Sequence, residues 1–275
     1  MTDCAGIAER GQCRMREQLS AFLGVFRYEF KMQIRRKSLW IAFAGFTLLL
    51  LSNAFTTLHS PERSITTLPL VQLVAAVTLQ LNWLPAIGIG VFLADRFPRD
   101  RSSKVDELFE TTPAALRTRL AGKYFGSVLA SIAPAFLTYC IIIGILAFYK
   151  QTLLIFPIAI VSYAVIVVPG ILFIAAFTLF CTSVLWIPLY QFLFVGYWFW
   201  GNMLSPDAGL PTLTGTILTP IGGFICAGIF GVAPMPWLKG ATPFEGLASL
   251  FVLLIVPLLV MVLFYYCLKW EQSHK

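Results

Sequence analysis

The sequence predicts an all-α fold: a polytopic helical membrane bundle with six transmembrane helices, an N-terminal interfacial helix and a re-entrant segment before the last span. Composition is the first reason. Hydrophobic residues make up 58% of the 275 residues and charged residues only 12%, about half the charged fraction of a typical soluble domain. The apolar runs are also long and unbroken, which favours spanning helices over the alternating strands of a β-barrel.

The N-terminal region divides into a tail, residues 1–18, and an amphipathic helix, residues 19–38. The tail lacks the apolar core of a cleavable signal peptide. In the helix, Arg27, Lys31 and Arg35 flank an apolar arc, so we expect the helix to lie in the membrane interface with its cations toward the headgroups. An extension of the first span is the alternative. The apolar arc consists of Leu19, Phe22, Leu23, Phe26, Phe30 and Ile34.

The predicted transmembrane domain covers residues 39–268, with spans at 39–58, 68–94, 124–148, 153–180, 184–204 and 246–268. Residues 151–206 contain no charged side chain. As one helix they would be about 84 Å long, whereas the hydrocarbon core of a bilayer is roughly 30 Å thick. We therefore expect this run to cross twice, with a turn at Cys181, Thr182 and Ser183.

Residues 205–245 form the predicted extracytoplasmic region before the last span. Within it, residues 212–232 are apolar but are interrupted by Pro220 and by five glycines. Such a broken segment is tolerated at membrane depth only where protein covers its backbone. We therefore favour a re-entrant segment over the alternative of a seventh span.

The distribution of Lys and Arg predicts the orientation. Seventeen of the 20 lie before the first span, between the second and third spans or in the tail, residues 269–275. The other three, Arg63, Lys150 and Lys239, fall in the remaining connections. Because cytoplasmic loops carry the excess of Lys and Arg, we expect both termini in the cytoplasm of a multi-pass plasma (inner) membrane protein.

The sequence offers little material for catalysis. The six cysteines include no C-x-x-C pair, only two histidines occur, and no G-x-x-x-x-G-K-[ST] phosphate loop is present. We therefore expect no catalytic residue, no metal and no cofactor in this chain. The central parts of the spans lack ionisable residues, which argues against an ion-coupled carrier. The excess of positive charge follows from topology, so we expect no nucleic-acid partner.

Residues 95–123 form a charged island that holds 12 of the 33 charged residues. The spacing of Val105, Leu108 and Phe109 predicts a short helix with an apolar face. Thr112-Pro113 is typical of the N-cap and first position of a second helix. Orientation requires positive charge, but it does not require two capped helices with acidic residues. We interpret the island as a docking element for a cytoplasmic partner; a solvated loop is the alternative.

The order of these segments resembles the membrane subunit of type-2 ABC exporters, a six-span permease family without a fused ATPase domain. The segment FRYEFKMQIRRKS resembles that family's elbow helix, with Glu29 and Arg35 or Arg36 at the typical places. The island resembles the family's first cytoplasmic loop. Its matching positions are Asp95, Glu107-Leu108, Thr112-Pro113 and Gly122-Lys123.

The resemblance implies a transport subunit rather than an enzyme, exporting a hydrophobic or amphipathic substrate such as a lipid, peptide or drug. It implies a separate ATPase partner that holds ATP and Mg, and a second permease copy in a homodimer or heterodimer. The first and fifth spans are the expected seam of that dimer. The ATPase-coupling residues that it implies are Glu29, Arg35, Asp106, Glu107, Leu108, Phe109, Glu110, Thr112 and Pro113.

Polar and aromatic residues within the spans are candidates for a substrate pathway. Their alternative role is structural, as interhelical hydrogen bonds or, for tryptophans such as Trp198 and Trp200, as an interfacial belt. A non-transporting membrane scaffold or accessory subunit is the alternative function, and an intramembrane enzyme is a third. The pathway candidates are Gln80, Asn82, Trp186, Tyr190, Gln191 and Tyr197.

Overall fold

The computed structural model describes residues 3–59, 68–102, 115–205, 209–233 and 235–274, and the regular elements in these ranges are all helices. Irregular breaks interrupt several of the apolar stretches. The helices are α1 (Asp3–Ile34), α2 (Lys37–His59), α3 (Leu70–Gln80), α4 (Leu84–Leu93), α5 (Arg96–Ser102), α6 (Leu116–Lys150), α7 (Ile155–Ser162), a π-helical turn (Tyr163–Val167), α8 (Val168–Val184), α9 (Ile187–Met203), α10 (Gly223–Phe230) and α11 (Pro243–Ser273).

Within the described ranges, four helical stretches are long and apolar enough to cross a membrane: Leu70–Arg99, Leu116–Lys150, Ile155–Val184 and Pro243–Ser273. They correspond to the second, third, fourth and sixth predicted spans, which confirms a helical membrane protein. The first predicted span lies within α2, which has 23 residues, or about 34 Å, and the fifth corresponds to α9, which is shorter, with 17 residues, or about 25 Å.

Prolines mark two of the breaks. Pro85 and Pro188 each occupy the second position of a helix, in α4 and α9. At that position the missing N–H group costs little, because the first turn of a helix leaves its N–H groups without an intrahelical partner. The predicted turn at residues 181–183 therefore occurs a few residues later, at Leu185 and Trp186, immediately before α9.

α1 packs lengthwise against the first half of α6, which is its most extensive helix contact. A Cβ added at Gly122 would lie 3.0 Å from Val25, and one added at Gly126 would lie 2.8 Å from the Cβ of Glu29. Contacts advance in the same direction along both helices, so α1 and α6 run parallel. Glycines four residues apart thus allow close approach of the two backbones, as in small-xxx-small packing.

The observed α1 differs from the predicted interfacial helix in two respects. It begins at Asp3, so it includes most of the residues assigned to the N-terminal tail. In addition, the residues of the predicted apolar arc are not all covered: Phe22 and Phe26 are partly covered, whereas Leu19 and Leu23 are exposed. The reason is that the polar residues Glu29 and Gln33, and not only apolar ones, lie on the buried face.

The segment before α11 is not a continuous spanning helix. α10 has eight residues, or about 12 Å, and follows a chain of turns. It packs closely on α11, since a Cβ at Gly228 would lie 2.5 Å from the carbonyl oxygen of Thr242 and 2.9 Å from the Cα of Gly246. Thr242 and Glu245 form a capping box that begins α11 at this contact.

Candidate functional site

Five ionisable residues meet where α1, α5 and α6 come together: Glu29, Arg36, Asp95, Arg96 and Lys123. We call this cluster the charged junction. Asp95 and Arg96 stand at the start of α5, Glu29 lies on the buried face of α1, Arg36 follows the end of α1, and Lys123 lies in the second turn of α6. Charges are rarely buried unless they are paired, so this grouping is the strongest candidate site in the described chain.

Arg36 and Asp95 form a bidentate ion pair. The two terminal guanidinium nitrogens of Arg36 donate to the two carboxylate oxygens of Asp95 at 3.0 and 2.7 Å. The side chains are 20% and 36% exposed, respectively. This planar, two-bond geometry fixes the end of α1 relative to the start of α5, and a lysine could not reproduce it.

Arg96 and Glu29 form a second pair that is much more deeply buried. A terminal nitrogen of Arg96 lies 3.9 Å from Glu29 Oε2, and the side chains are 0% and 4% exposed. Within the described part of the chain, none of the three guanidinium nitrogens of Arg96 has a hydrogen-bond partner. A buried ion pair in this arrangement contributes little net stability, because desolvation of both charges opposes their attraction.

The junction continues into the apolar core through Phe97. Lys123 Nζ lies 4.9 Å from the centroid of the Phe97 ring, a cation–π contact between α6 and α5. Phe97 in turn packs edge-on against Phe264 of α11, with centroids 5.1 Å apart. Phe264 also contacts Phe180 of α8. A displacement of α5 would therefore act on α1, α6, α8 and α11 together.

The structure places the predicted coupling residues in three groups. Glu29 lies in the charged junction. Arg35 is exposed, and its neighbour Arg36 makes the ion pair with Asp95. The remaining predicted coupling residues fall outside the described residues; these are Asp106, Glu107, Leu108, Phe109, Glu110, Thr112 and Pro113.

Sequence reasoning did not single out Arg96 or Gln33 as site residues. Gln33 is buried and donates from Nε2 to Ser131 Oγ at 3.4 Å. The sequence contained one signal for such polar residues. Val25, Glu29 and Gln33 are spaced by four residues and therefore share one side of α1, where only apolar residues were expected.

The pathway candidates do not form one polar surface. Asn82, Tyr190 and Gln191 make interhelical hydrogen bonds, the structural alternative considered for them. Tyr190 pairs with Thr178 at 2.7 Å, and Gln191 Nε2 donates to the carbonyl of Val91 at 3.2 Å. The other three candidates, Gln80, Trp186 and Tyr197, are exposed to differing degrees.

Asn82 joins three irregular segments of backbone. Its Nδ2 donates to the carbonyl of Ile166 at 2.8 Å and to that of Ile221 at 3.1 Å. Ile166 belongs to the π-helical turn, and Ile221 follows Pro220 in the predicted re-entrant region. Gly170 also packs closely here, because a Cβ added at Gly170 would lie 2.6 Å from the carbonyl oxygen of Pro220. Asn82 thus satisfies carbonyls that regular helices would have paired internally.

Trp198 contradicts the interfacial-belt interpretation. Its side chain is 0% exposed, and its indole Nε1 donates to the carbonyl of Trp83 at 2.8 Å. Trp83 lies in the break between α3 and α4, where carbonyls lose their helical partners. Trp198 therefore stabilises that break from α9, whereas Trp200 remains exposed as the belt requires.

The fold and the site define a helical membrane protein with a partly buried charged junction near the start of α5. No protein-family model and no curated protein sequence matches the chain.

Proposed function

We propose that this chain is the membrane-spanning permease subunit of an ATP-driven exporter, energised by a separate ATPase chain. The observation that carries the proposal is the charged junction. It ties α5, which leads directly into the predicted docking loop, to α1 and α6 through Arg36–Asp95, Arg96–Glu29 and Lys123–Phe97. Such an arrangement suits a subunit that receives movement from a cytoplasmic partner.

α5 connects the charged junction to the predicted docking residues along the chain. α5 ends at Ser102, and the predicted docking residues begin within the next few positions. A partner that moves the loop would move α5 at its far end. Because the Arg96–Glu29 pair is buried and the guanidinium of Arg96 has no hydrogen-bond partner among the described residues, a small movement of α5 would change the energy of the pair strongly. The loop could thereby bias α1 and the spanning helices between two arrangements.

The proposal includes a second permease copy and a substrate path between the copies. α2 and α9, the first and fifth predicted spans, both present exposed apolar side chains. The exposed large residues of these helices, together with Trp186 immediately before α9, are Trp40, Ile41, Leu48, Leu49, Trp186, Leu189, Phe192, Leu193, Tyr197, Phe199 and Trp200. We propose that these faces meet in a dimer in the plasma (inner) membrane, with both termini cytoplasmic. A hydrophobic or amphipathic substrate would move along the apolar, aromatic seam.

The decisive experiment is functional reconstitution with an ATPase that carries a phosphate-binding loop and is encoded beside this chain. Reversing Asp106, Glu107 and Glu110 to Lys keeps the positive-inside bias, so insertion should be unchanged. Stimulation of ATP hydrolysis by substrate, and transport, should both be lost. A control that exchanges Asp for Glu and Glu for Asp at the same three positions should retain both.

Two outcomes would contradict the proposal. If the triple reversal retains full coupling, the island only sets topology. If no ATPase co-purifies with the wild-type chain in mild detergent, a non-transporting scaffold becomes the better assignment. The change Leu108→Pro provides an independent check, because it should break the predicted docking helix and abolish coupling without altering charge.

A further inference from the structure

A small cavity lies beside the end of α9, and we call it the cap cavity. Its polar lining consists of Asn202 in the last turn of α9, Thr214 and Thr219 in the turns before α10, and Trp237 in the short helical turn Pro236–Leu238. Most of the remaining lining is apolar. The cavity volume is about 10 Å³, close to the least that holds one water molecule.

Two of the lining side chains carry a hydrogen-bond donor without a protein acceptor. Asn202 is 1% exposed, and its Nδ2 is unpaired among the described residues. The indole Nε1 of Trp237 is also buried and has no partner in the described part of the chain. Buried donors are nearly always paired with protein or with ordered water, so two unpaired donors on one cavity indicate a bound acceptor.

The two threonines supply acceptors to the same cavity. Thr219 Oγ1 donates its proton to Asn202 Oδ1 at 3.0 Å, and Thr214 Oγ1 donates to the carbonyl oxygen of Gly201 at 3.2 Å. A hydroxyl has one proton and two lone pairs, so each threonine oxygen can still accept a hydrogen bond. The lining thus offers two N–H donors and two hydroxyl acceptors.

This set of groups indicates the chemistry of the ligand. A water molecule accepts two hydrogen bonds and donates two, which matches two donors and two acceptors. The residues that line the cavity include no charged side chain, so nothing in the lining compensates the charge of an ion. The volume excludes a larger solute.

Tyr197 is a further polar residue close to Asn202. Its ring packs over Gly201, one turn later on α9, since a Cβ added there would lie 3.1 Å from the ring. The tyrosine hydroxyl does not satisfy the amide, because Asn202 Nδ2 remains without a hydrogen bond. Tyr197 is therefore the competing partner that an experiment must separate from water.

We propose that one water molecule binds in the cap cavity and joins α9 to the turn before α11. The water accepts hydrogen bonds from Asn202 Nδ2 and Trp237 Nε1, and it donates to the hydroxyls of Thr214 and Thr219. The turn that carries Trp237 is thereby fastened to α9 through the water. The site belongs to this chain alone and does not rest on the proposed transport function.

The test compares two indole groups of the full chain by NMR. Trp198 is the internal control, because its Nε1 is buried but already donates to the carbonyl of Trp83 at 2.8 Å. Protein with isotope-labelled tryptophan is studied in deuterated detergent, and magnetisation transfer from each indole proton to water is measured. The Trp237 proton should show a water cross-peak, and the Trp198 proton should show none. The variants W237F and W198F assign the two signals.

Two matched variants locate the water. N202L removes the amide donor, so the Trp237 cross-peak should be lost. Y197F removes the neighbouring hydroxyl and should leave the cross-peak unchanged. In addition, W237F should lower the melting temperature by roughly 2–4 °C, the size expected for one hydrogen bond in a chain of this length. The same change should cost less in the N202L background, where the water is already lost.

Four results would overturn the proposal. The first is the absence of a Trp237 cross-peak in wild type, a measurement that needs no variant. The second is an undiminished cross-peak in N202L, and the third is its loss in Y197F, which would assign the contact to the tyrosine. The fourth is exchange of the Trp237 proton with deuterated solvent as fast as that of Trp270, which is 67% exposed. Failure of the ATPase-coupling experiments would not affect any of these measurements.

Discussion

The two terminal guanidinium nitrogens of Arg36 each donate a hydrogen bond to one carboxylate oxygen of Asp95, at 3.0 and 2.7 Å. The two residues are 59 positions apart in the sequence. The neighbouring pair, Arg96 with Glu29, joins the same two helices but is nearly inaccessible. The two pairs thus offer a direct comparison of a partly exposed and a buried ion pair within one junction.

The partly exposed pair should contribute little to stability. Arg36→Lys removes the fork geometry but keeps the charge, and we expect a loss of no more than about 1 kcal/mol in the free energy of unfolding. Denaturant titration in detergent, with Asp95→Asn and the double variant completing a mutant cycle, gives the coupling energy. A coupling above about 2 kcal/mol would mean that the pair is effectively buried.

Breaking the buried pair should instead lower the free energy of unfolding strongly. Glu29→Gln removes the carboxylate that pairs with the buried Arg96 guanidinium and leaves Asp95, which already pairs with Arg36, as its acidic neighbour, so we expect a loss of about 3–5 kcal/mol. Adding Arg96→Met should restore more than half of that loss, because an apolar side chain needs no partner there. The same titration measures both variants. Additive losses in the double variant would show that the two residues do not interact.

The close packing of α1 on α6 should depend on Gly126. A Cβ there would lie 2.8 Å from Glu29 Cβ and 2.9 Å from the carbonyl oxygen of Phe26, so Gly126→Ala must push the helices apart. We expect a loss of about 1–3 kcal/mol from this overpacking. Gly144 is the control on the same helix, since nothing lies within 4 Å of its Cβ position.

Gly144→Ala should be neutral or slightly stabilising, as expected for an open helical position. Melting temperatures by fluorescence-detected size exclusion compare the two variants directly. Equal melting temperatures would mean that α1 does not pack on α6 in the membrane.

Asn82 should be far more important than its neighbour Gln80. Asn82→Leu removes the donors to Ile166 and Ile221, and each buried carbonyl left unpaired costs about 1–3 kcal/mol. Gln80→Leu changes an exposed amide two residues away and should be within about 0.5 kcal/mol of wild type. Thermal unfolding of both variants checks the contrast. If the Asn82→Leu protein is as stable as wild type, water or another donor must bind these carbonyls.

Local patterns in the sequence predicted the helices well, because span length and apolar content are local properties. The turn expected at residues 181–183 lies at Leu185 and Trp186, a shift set by Pro188. The predicted spans also contain breaks that hydropathy cannot reveal. The gap between α3 and α4 depends on Trp198, whose indole reaches a carbonyl 115 residues away in the sequence.

Helical periodicity predicted the wrong boundary for the buried face of α1 for a related reason. Six apolar residues define the arc, but the backbone of α1 approaches α6 where Gly122 and Gly126 leave room. That contact buries Glu29 and Gln33, which then need Arg96 and Ser131 as partners. These contacts between residues that are far apart in the sequence form the charged junction. A short stretch of sequence cannot reveal them.

The parallel packing of α1 on α6 has a consequence for biosynthesis. Gln33 bonds to Ser131, 98 residues later, so the ribosome completes α1 well before its partner exists. At 5–20 residues per second this delay is about 5–20 s. During that interval α1 is a nascent amphipathic segment whose apolar side chains need shelter. Adsorption to the membrane surface would protect it from aggregation, and the chain would then recruit α1 from that surface once α6 has been inserted.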